Sequence, residues 1–172
     1  MPMSSAEGKS WIKERVALLA STGPLTVVDV GPGVGTYAKL LAGPDVSRIV
    51  GIEVWEPYVR TYRLHEYYDE IILGDIRQVP IPATDVVILG DVAEHMTAGE
   101  AQEVWRRCAA AARRAVYLSI PIVHYPQHPI EDNPYEVHVE EDWSHEKVLA
   151  RFDGIGASWA GQEVGVYERL TS

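Results

Sequence analysis

The sequence predicts an α/β protein: a doubly wound, mostly parallel sheet of about seven strands that ends in an antiparallel hairpin. Three observations carry that expectation. Short, apolar, β-branched runs recur at 25–30, 48–53, 70–73, 84–90 and 115–120, with helical patterns between them. The runs are apolar on both faces, as strands covered by helices on both sides must be. Finally, GASWAGQEVGVYERL (156–170) reads as two strands turning near Gly161.

Each element has its own warrant. An opening helix over roughly 7–20 follows from the spacing of Trp11, Ile12, Arg15, Val16 and Leu19. LTVVDV (25–30) is short and β-branched and stops at glycines, and a helix over 36–42 follows it. RIVGIE (48–53) leads into a helix over 56–67, then EIIL (70–73) and TDVVILG (84–90). The helix over 97–113 is the best supported. Ala101, Val104, Trp105, Cys108 and Ala112 fall on one face, and Thr97 followed by Glu100 fits a capping box at its start. AVYLSI (115–120) is the fifth strand. Residues 121–142 are rich in Pro, His and acid and have little periodicity. A short helix over 144–152 and strands near 155–160 and 163–170 complete the chain. Strands alternating with helices at this rhythm imply right-handed βαβ units.

The totals bound the function. A chain of 172 residues is expected to be one domain, 1–172, large enough to bury roughly 70% of its unfolded surface. No apolar run approaches the ~20 residues of a membrane helix, and MPMSSAEGKSW has no basic-then-apolar leader. A lone Cys108 allows no internal disulfide, which points to the cytoplasm. The formal net charge of −10 opposes a broad grip on nucleic acid. Arg106, Arg107, Arg113 and Arg114 cluster at helical spacing and read as a solvated helix face.

The chemistry concentrates where strands end. LTVVDVGPGVGTYAKLL sets Gly31, Gly33 and Gly35 after a buried strand and before a helix. Glycines there let the backbone turn and approach a ligand without a Cβ in the way, and a helix N-terminus offers free N–H groups. The spacing is G-x-G-x-G, with Asp29 inside the strand, rather than the G-x-G-x-x-G tuned to a pyrophosphate. Glu53 ends the second strand at the spacing of an acid that binds ribose hydroxyls, with Glu56 the competing acid in the following helix. Asp75 follows the third strand; Asp91, Glu94 and His95 follow the fourth. Four strands thus deliver Asp29, Glu53, Asp75 and Asp91 to one edge, where open α/β sheets bind ligands.

Together these motifs resemble the class I S-adenosylmethionine-dependent methyltransferases, whose first motif is commonly acid-x-G-x-G-x-G, over about residues 25–120. GIEVWEPY (51–58) and NPYEVH (133–138) followed by Trp143 resemble one branch of small members. The resemblance implies a Rossmann-like fold and S-adenosylmethionine as cofactor. It implies a cofactor site of Asp29, Gly31, Gly33, Gly35, Glu53, Val54, Asp75, Ile76 and Asp91. In that family the acid at Asp75 receives the adenine amino group and the N–H of Ile76 meets a ring nitrogen. Trp55 is expected either on the adenine or in the core.

The activated donor leaves the protein to position a nucleophile, exclude water and, for some acceptors, take a proton. His95, His124 and His138 are the candidate bases; Asn133 and Tyr135 are the candidate substrate contacts, in a wall or lid that Trp143 anchors. Neither His124 with His128 nor His138 with His145 has convincing ligand spacing, so no metal is expected. The Asn-Pro-Tyr triplet differs from the Asp/Asn-Pro-Pro-aromatic signature of amino-methylating enzymes, which follows the fourth strand; Gly90 to Ala93 stand there instead. The expected partner is a small-molecule acceptor methylated at oxygen or nitrogen, with nucleic acid and membrane disfavoured. Two alternatives remain: a nicotinamide-dependent oxidoreductase, disfavoured by the glycine spacing and the terminal hairpin, and a methyltransferase fold used as a binding or scaffold protein.

Overall fold

The computed structural model describes residues 5–171, so the N-terminal stretch is seen from Ser5 onward. One seven-stranded sheet organises the chain. Its strands are β1 (Leu25–Val30), β2 (Val46–Glu53), β3 (Glu70–Leu73), β4 (Thr84–Gly90), β5 (Ala112–Pro121), β6 (Ala157–Ala160) and β7 (Val164–Leu170). Their spatial order is β3-β2-β1-β4-β5-β7-β6. The first five run parallel, while β7 is antiparallel to both β5 and β6. The hairpin is therefore folded back: β7 lies inside, against β5, and β6 forms the edge.

Helices cover both faces. Along β4, Val86 and Ile88 face one side, and Val87 and Leu89 the other. The Val86 side packs on α1 (Lys9–Leu19) through Ile12 and Val16 and on α2 (Thr36–Leu41) through Tyr37 and Leu41. It also meets Val59 of α3 (Glu56–Thr61). The Val87 side packs on α4 (Ala98–Ala111) through Val104, Trp105 and Cys108, and on α5 (His145–Arg151) through Val148. Burial of the large side chains Trp105 and Tyr117, each worth a few kcal/mol, fixes these layers.

The predicted elements are all present, with informative shifts at their ends. The capping box forms as expected: Thr97 Oγ1 accepts from the Glu100 N–H, and the Glu100 carboxylate accepts from the Thr97 N–H. The helix over 97–113 stops earlier, at Ala111, because Ala112 turns extended and opens β5. Arg113 and Arg114 therefore lie on a strand, not on a solvated helix face. Arg113 pairs with Asp85 at 3.0 Å, and Arg114 donates to Thr22. Arg107 donates to the carbonyls of Ile76 and Val79, bracing the loop after β3, and Arg106 pairs with Glu103. The helix over 56–67 breaks at Arg63, whose φ is 54°, and resumes as a 3-10 turn over Leu64–Glu66.

The sheet register positions the site. Val30 pairs with both Ile52 and Leu89, Glu53 with Leu73, and Gly90 with Ser119. The carboxyl ends of five strands are thus level. β1 and β4 are neighbours although β2 and β3 lie between them in sequence, so the chain switches direction there and leaves a crevice.

Candidate functional site

A cavity of about 730 Å³ occupies that crevice. Its first half is the glycine loop and the acids after β2 and β3. Gly31 has φ 68°, and a Cβ on it would lie 2.5 Å from Val92, so only glycine fits between β1 and the segment after β4. Gly33 has φ 53° and lines the cavity, and a Cβ there would meet no protein atom closer than 4.0 Å. The loop thus presents bare backbone to an open space that a ligand can fill. Gly35 is not on the cavity; it is the left-handed N-cap of α2.

Glu53 ends β2 at the cavity wall, with one oxygen accepting from the Trp55 N–H at 2.8 Å. Burial lifts its carboxyl to about 7, helped by the nearby Glu136 and opposed by backbone donors of Trp55, Gly33 and Val54. Val54, Asp75, Ile76 and Asp91 also line the cavity. Asp75 is gripped by Arg77 through its guanidinium and its N–H, which holds the carboxyl below its usual range. Asp91 has φ 56°; it accepts from Ser119 Oγ at 2.8 Å and pairs with Lys9 at 3.4 Å. Asp29, expected to touch the cofactor, does not reach the cavity. Its fully buried carboxyl stands behind the loop and accepts from the Tyr68 hydroxyl, and burial raises it to about 7. Alternation along β1 turns it away from the ligand side. Trp55 is half-buried off the cavity, its ring 6.3 Å from that of Tyr135.

The second half joins two segments far apart in sequence. After β4, a 3-10 turn over Ala93–His95 carries Glu94 and His95. The chain after β5 folds back over it. The N–H groups of Val139 and Glu140 both donate to the Glu94 carbonyl, and His95 Nδ1 meets the Val137 carbonyl at 3.1 Å. His138 Nδ1 in turn meets the Tyr125 carbonyl at 2.6 Å, with the two imidazole centres 5.0 Å apart. Burial lowers both histidines' affinity for a proton and raises that of Glu94. Trp143 is buried against Phe152, ring centres 5.6 Å apart, and holds the returning chain to the core as the sequence led one to expect.

Of the expected acceptor-side residues, His95, His138, Asn133 and Tyr135 line the cavity. Asn133 is also structural: its Oδ1 accepts from the Tyr135 N–H and caps the turn over Pro134–Glu136. His124 does not belong with them. It is exposed beyond the cavity and paired with Asp142 at 2.8 Å, because its bridge to Asp142 turns it outward. Sequence reasoning missed Tyr37, which lines the cavity, and Lys9, which pairs with Asp91 behind it; it placed Glu94 and Glu136 near the site without giving them a role. A Glu beside His95 was visible, but only the folded chain shows that it is buried opposite His138.

A fold of this topology, with a glycine loop and an acid ending the second strand beside a cavity at the sheet's carboxyl edge, defines a nucleotide-type cofactor protein of the methyltransferase kind. A methyltransferase-domain family matches residues 28–120, more than half of the chain, and the protein belongs to that family. Solved structures agree on the fold. Magnesium protoporphyrin IX methyltransferase from Synechocystis PCC 6803, with bound S-adenosylmethionine, superposes with a TM-score of 0.69 at 18% identity, covering 96% of this chain and 79% of that one. A 1,6-didemethyltoxoflavin-N1-methyltransferase from Burkholderia thailandensis, with S-adenosylhomocysteine, gives 0.68 at 13% identity over 97% and 80%. A Pyrococcus horikoshii OT3 protein gives 0.67 at 18% over 98% and 93%. No curated protein sequence matches the chain. The cofactor of such a domain is S-adenosylmethionine, the molecule expected from the sequence.

Proposed function

We propose that the protein transfers a methyl group from S-adenosylmethionine to an oxygen or nitrogen of a small-molecule acceptor. One observation carries this reading: a single cavity has bare glycine backbone and Glu53 at one end and Glu94, His95 and His138 at the other. The sulfonium, when bound, supplies the activated methyl. The chain's own residues do the rest. Gly33 lets the donor approach the backbone, Gly31 lets the loop lie against the segment after β4, and Glu53 accepts the donor's ribose hydroxyls. Val54 and Ile76 pack on its base, while Asp75, already held by Arg77, faces the base's polar edge. Asp91, fixed by Ser119 and Lys9, sits between the two halves.

On the far side, Asn133, Tyr135 and His138 form the wall against which an acceptor is pressed, and the returning chain excludes water. Burial lowers the proton affinity of His95 and His138, which favours the neutral imidazole that a proton acceptor or positioning group requires. The cavity is of the size that holds a small molecule beside a nucleoside, and the net charge of −10 opposes a broad grip on nucleic-acid phosphates. Among the described residues no helix is long and apolar enough to cross a membrane.

Calorimetry with S-adenosylhomocysteine tests the reading. Stoichiometric binding is expected, and Glu53→Ala should weaken it by about 1–3 kcal/mol, the worth of hydrogen bonds to a charged carboxylate. A ligand-free titration curve for both S-adenosylmethionine and its demethylated product would overturn it.

A further inference from the structure

Two buried glutamates are handled in opposite ways. Glu168, 1% exposed, accepts from Arg15 at 2.9 and 2.5 Å and from the Tyr117 hydroxyl at 2.8 Å. Glu94, 2% exposed, has a carboxylate oxygen, Oε2, with no hydrogen-bond partner among the described residues. Burying such an oxygen unsatisfied is unfavourable unless something pairs with it.

What stands opposite it is specific. One ligating atom from each of Glu94, His95 and His138 lies within 4.8 Å of the other two. Both Nδ1 atoms contact backbone carbonyls, which only accept, so each Nδ1 carries the proton. On His138 this leaves Nε2 with its lone pair free, and on His95 the same tautomer leaves Nε2 as the ligating nitrogen, with the Asp91 carbonyl also close to the ring. A backbone carbonyl that accepts from Nδ1–H is what fixes the tautomer and angle of a metal-bound histidine. The two imidazoles have neither proton nor strong donor to offer the carboxylate, and a proton shared among the three would satisfy at most one pair. A divalent cation satisfies all three at once.

Resting on the reading of the cavity as a methyl-transfer site, we propose that Glu94, His95 and His138 form a divalent-metal site that selects a hydroxyl-bearing acceptor. Two imidazole nitrogens and one carboxylate on one side of an ion leave positions open, the arrangement that suits zinc and iron(II) and, with an oxygen acceptor, manganese. Ligands at about 2.1 Å from an ion stand roughly 3–3.4 Å apart, so binding an ion draws the three atoms inward from their present spacing of up to 4.8 Å. The open positions face the cavity that all three residues line. An acceptor hydroxyl bound there becomes more acidic and loses its proton to solvent. Its lone pair then forms the new C–O bond, while the breaking C–S bond leaves its electron pair on sulfur. An amine acceptor gains nothing from this, because the ion ties up the lone pair it needs. The site thus narrows the acceptor to an alcohol, phenol or enol.

The test titrates the full chain, saturated with S-adenosylhomocysteine, with Zn²⁺ by calorimetry and with Mn²⁺ by electron paramagnetic resonance. Zn²⁺ is expected to bind one per chain, and Glu94→Gln and His138→Ala are each expected to weaken it at least 100-fold. His128→Ala, an exposed histidine off the cavity, should bind as wild type. Glu94→Gln keeps the side chain's shape, so it reads the site even if His138→Ala fails to fold. S-adenosylhomocysteine binding retained with no stoichiometric cation, or cation binding unchanged in Glu94→Gln, overturns the metal site and leaves the methyltransferase reading standing. Loss of S-adenosylhomocysteine binding in the wild type overturns the latter instead.

Discussion

The two halves of the cavity are built by different means. The half that we assign to the donor comes from strand ends that are level in one sheet: each group sits within three residues of the strand that places it. The half that we assign to the acceptor comes from a turn after β4 and a chain that returns after β5, joined by backbone hydrogen bonds from Val139 and Glu140 to Glu94. Sheet register makes the first half rigid and local. The second half is held by a docked loop, so its groups depend on contacts between residues more than 40 positions apart, as His95 and His138 are. A fold that binds one donor with many acceptors needs this division: the common part lies on the scaffold and the variable part on loops.

The largest effect should come from undoing the docking. Trp143→Ala removes the ring that pins the returning chain and is expected to cost about 3–5 kcal/mol of stability by thermal or denaturant unfolding. Where the variant remains folded, S-adenosylhomocysteine should still bind, because the strand-borne half is untouched. Equal loss of both would erase the distinction between the halves.

Glu53→Ala is the converse, striking the donor half with its expected 1–3 kcal/mol while leaving the returning chain's protection from hydrogen exchange unchanged. A smaller effect, about tenfold, should follow from pH. Glu53 sits near 7 in the folded protein, above the 4.5 of a free glutamate. Ribose hydroxyls favour its ionised form, so cofactor affinity should rise as pH rises, be about tenfold weaker at pH 6 than at pH 8, and level off above 7. Ligand-free stability should move the other way. Between about 4.5 and 7 the folded chain holds protons on Glu53 and on Asp29, also near 7, that the unfolded chain has released. Stability contributed by these groups is therefore present at low pH and lost as pH rises through 7. Affinity and stability that changed in the same direction would show that Glu53 does not face the ligand. The smallest effect belongs to Thr97→Ala. Losing the capping box of α4 should cost about 1 kcal/mol of stability and alter neither half's ligand binding.

How far the sequence could be read follows the same division. Strand ends, the glycine loop, Glu53, Asp75, Asp91 and the capping box were legible because each is a local signal of spacing and residue type. Asp29 shows the limit of such signals. Its place in the motif suggested contact with the cofactor, but pleat alternation buries it behind the loop with Tyr68, a partner 39 residues away. His124 and His138 look alike in a loop without periodicity. Only the fold shows that one pairs outward with Asp142 and the other turns in beside His95. Glu94 was placed at the end of the fourth strand by the sequence, but its burial opposite His138 was not legible there. Its burial depends on the chain that returns after β5, which no local pattern announces.

The central claim is that donor binding belongs to the strand-end half alone. It is tested most directly by titrating S-adenosylhomocysteine into wild type, Glu53→Ala and His138→Ala. The account predicts one tight site in wild type, a site weakened roughly 5- to 150-fold in Glu53→Ala, and wild-type affinity in His138→Ala. No binding in wild type, or equal weakening by both substitutions, would contradict it.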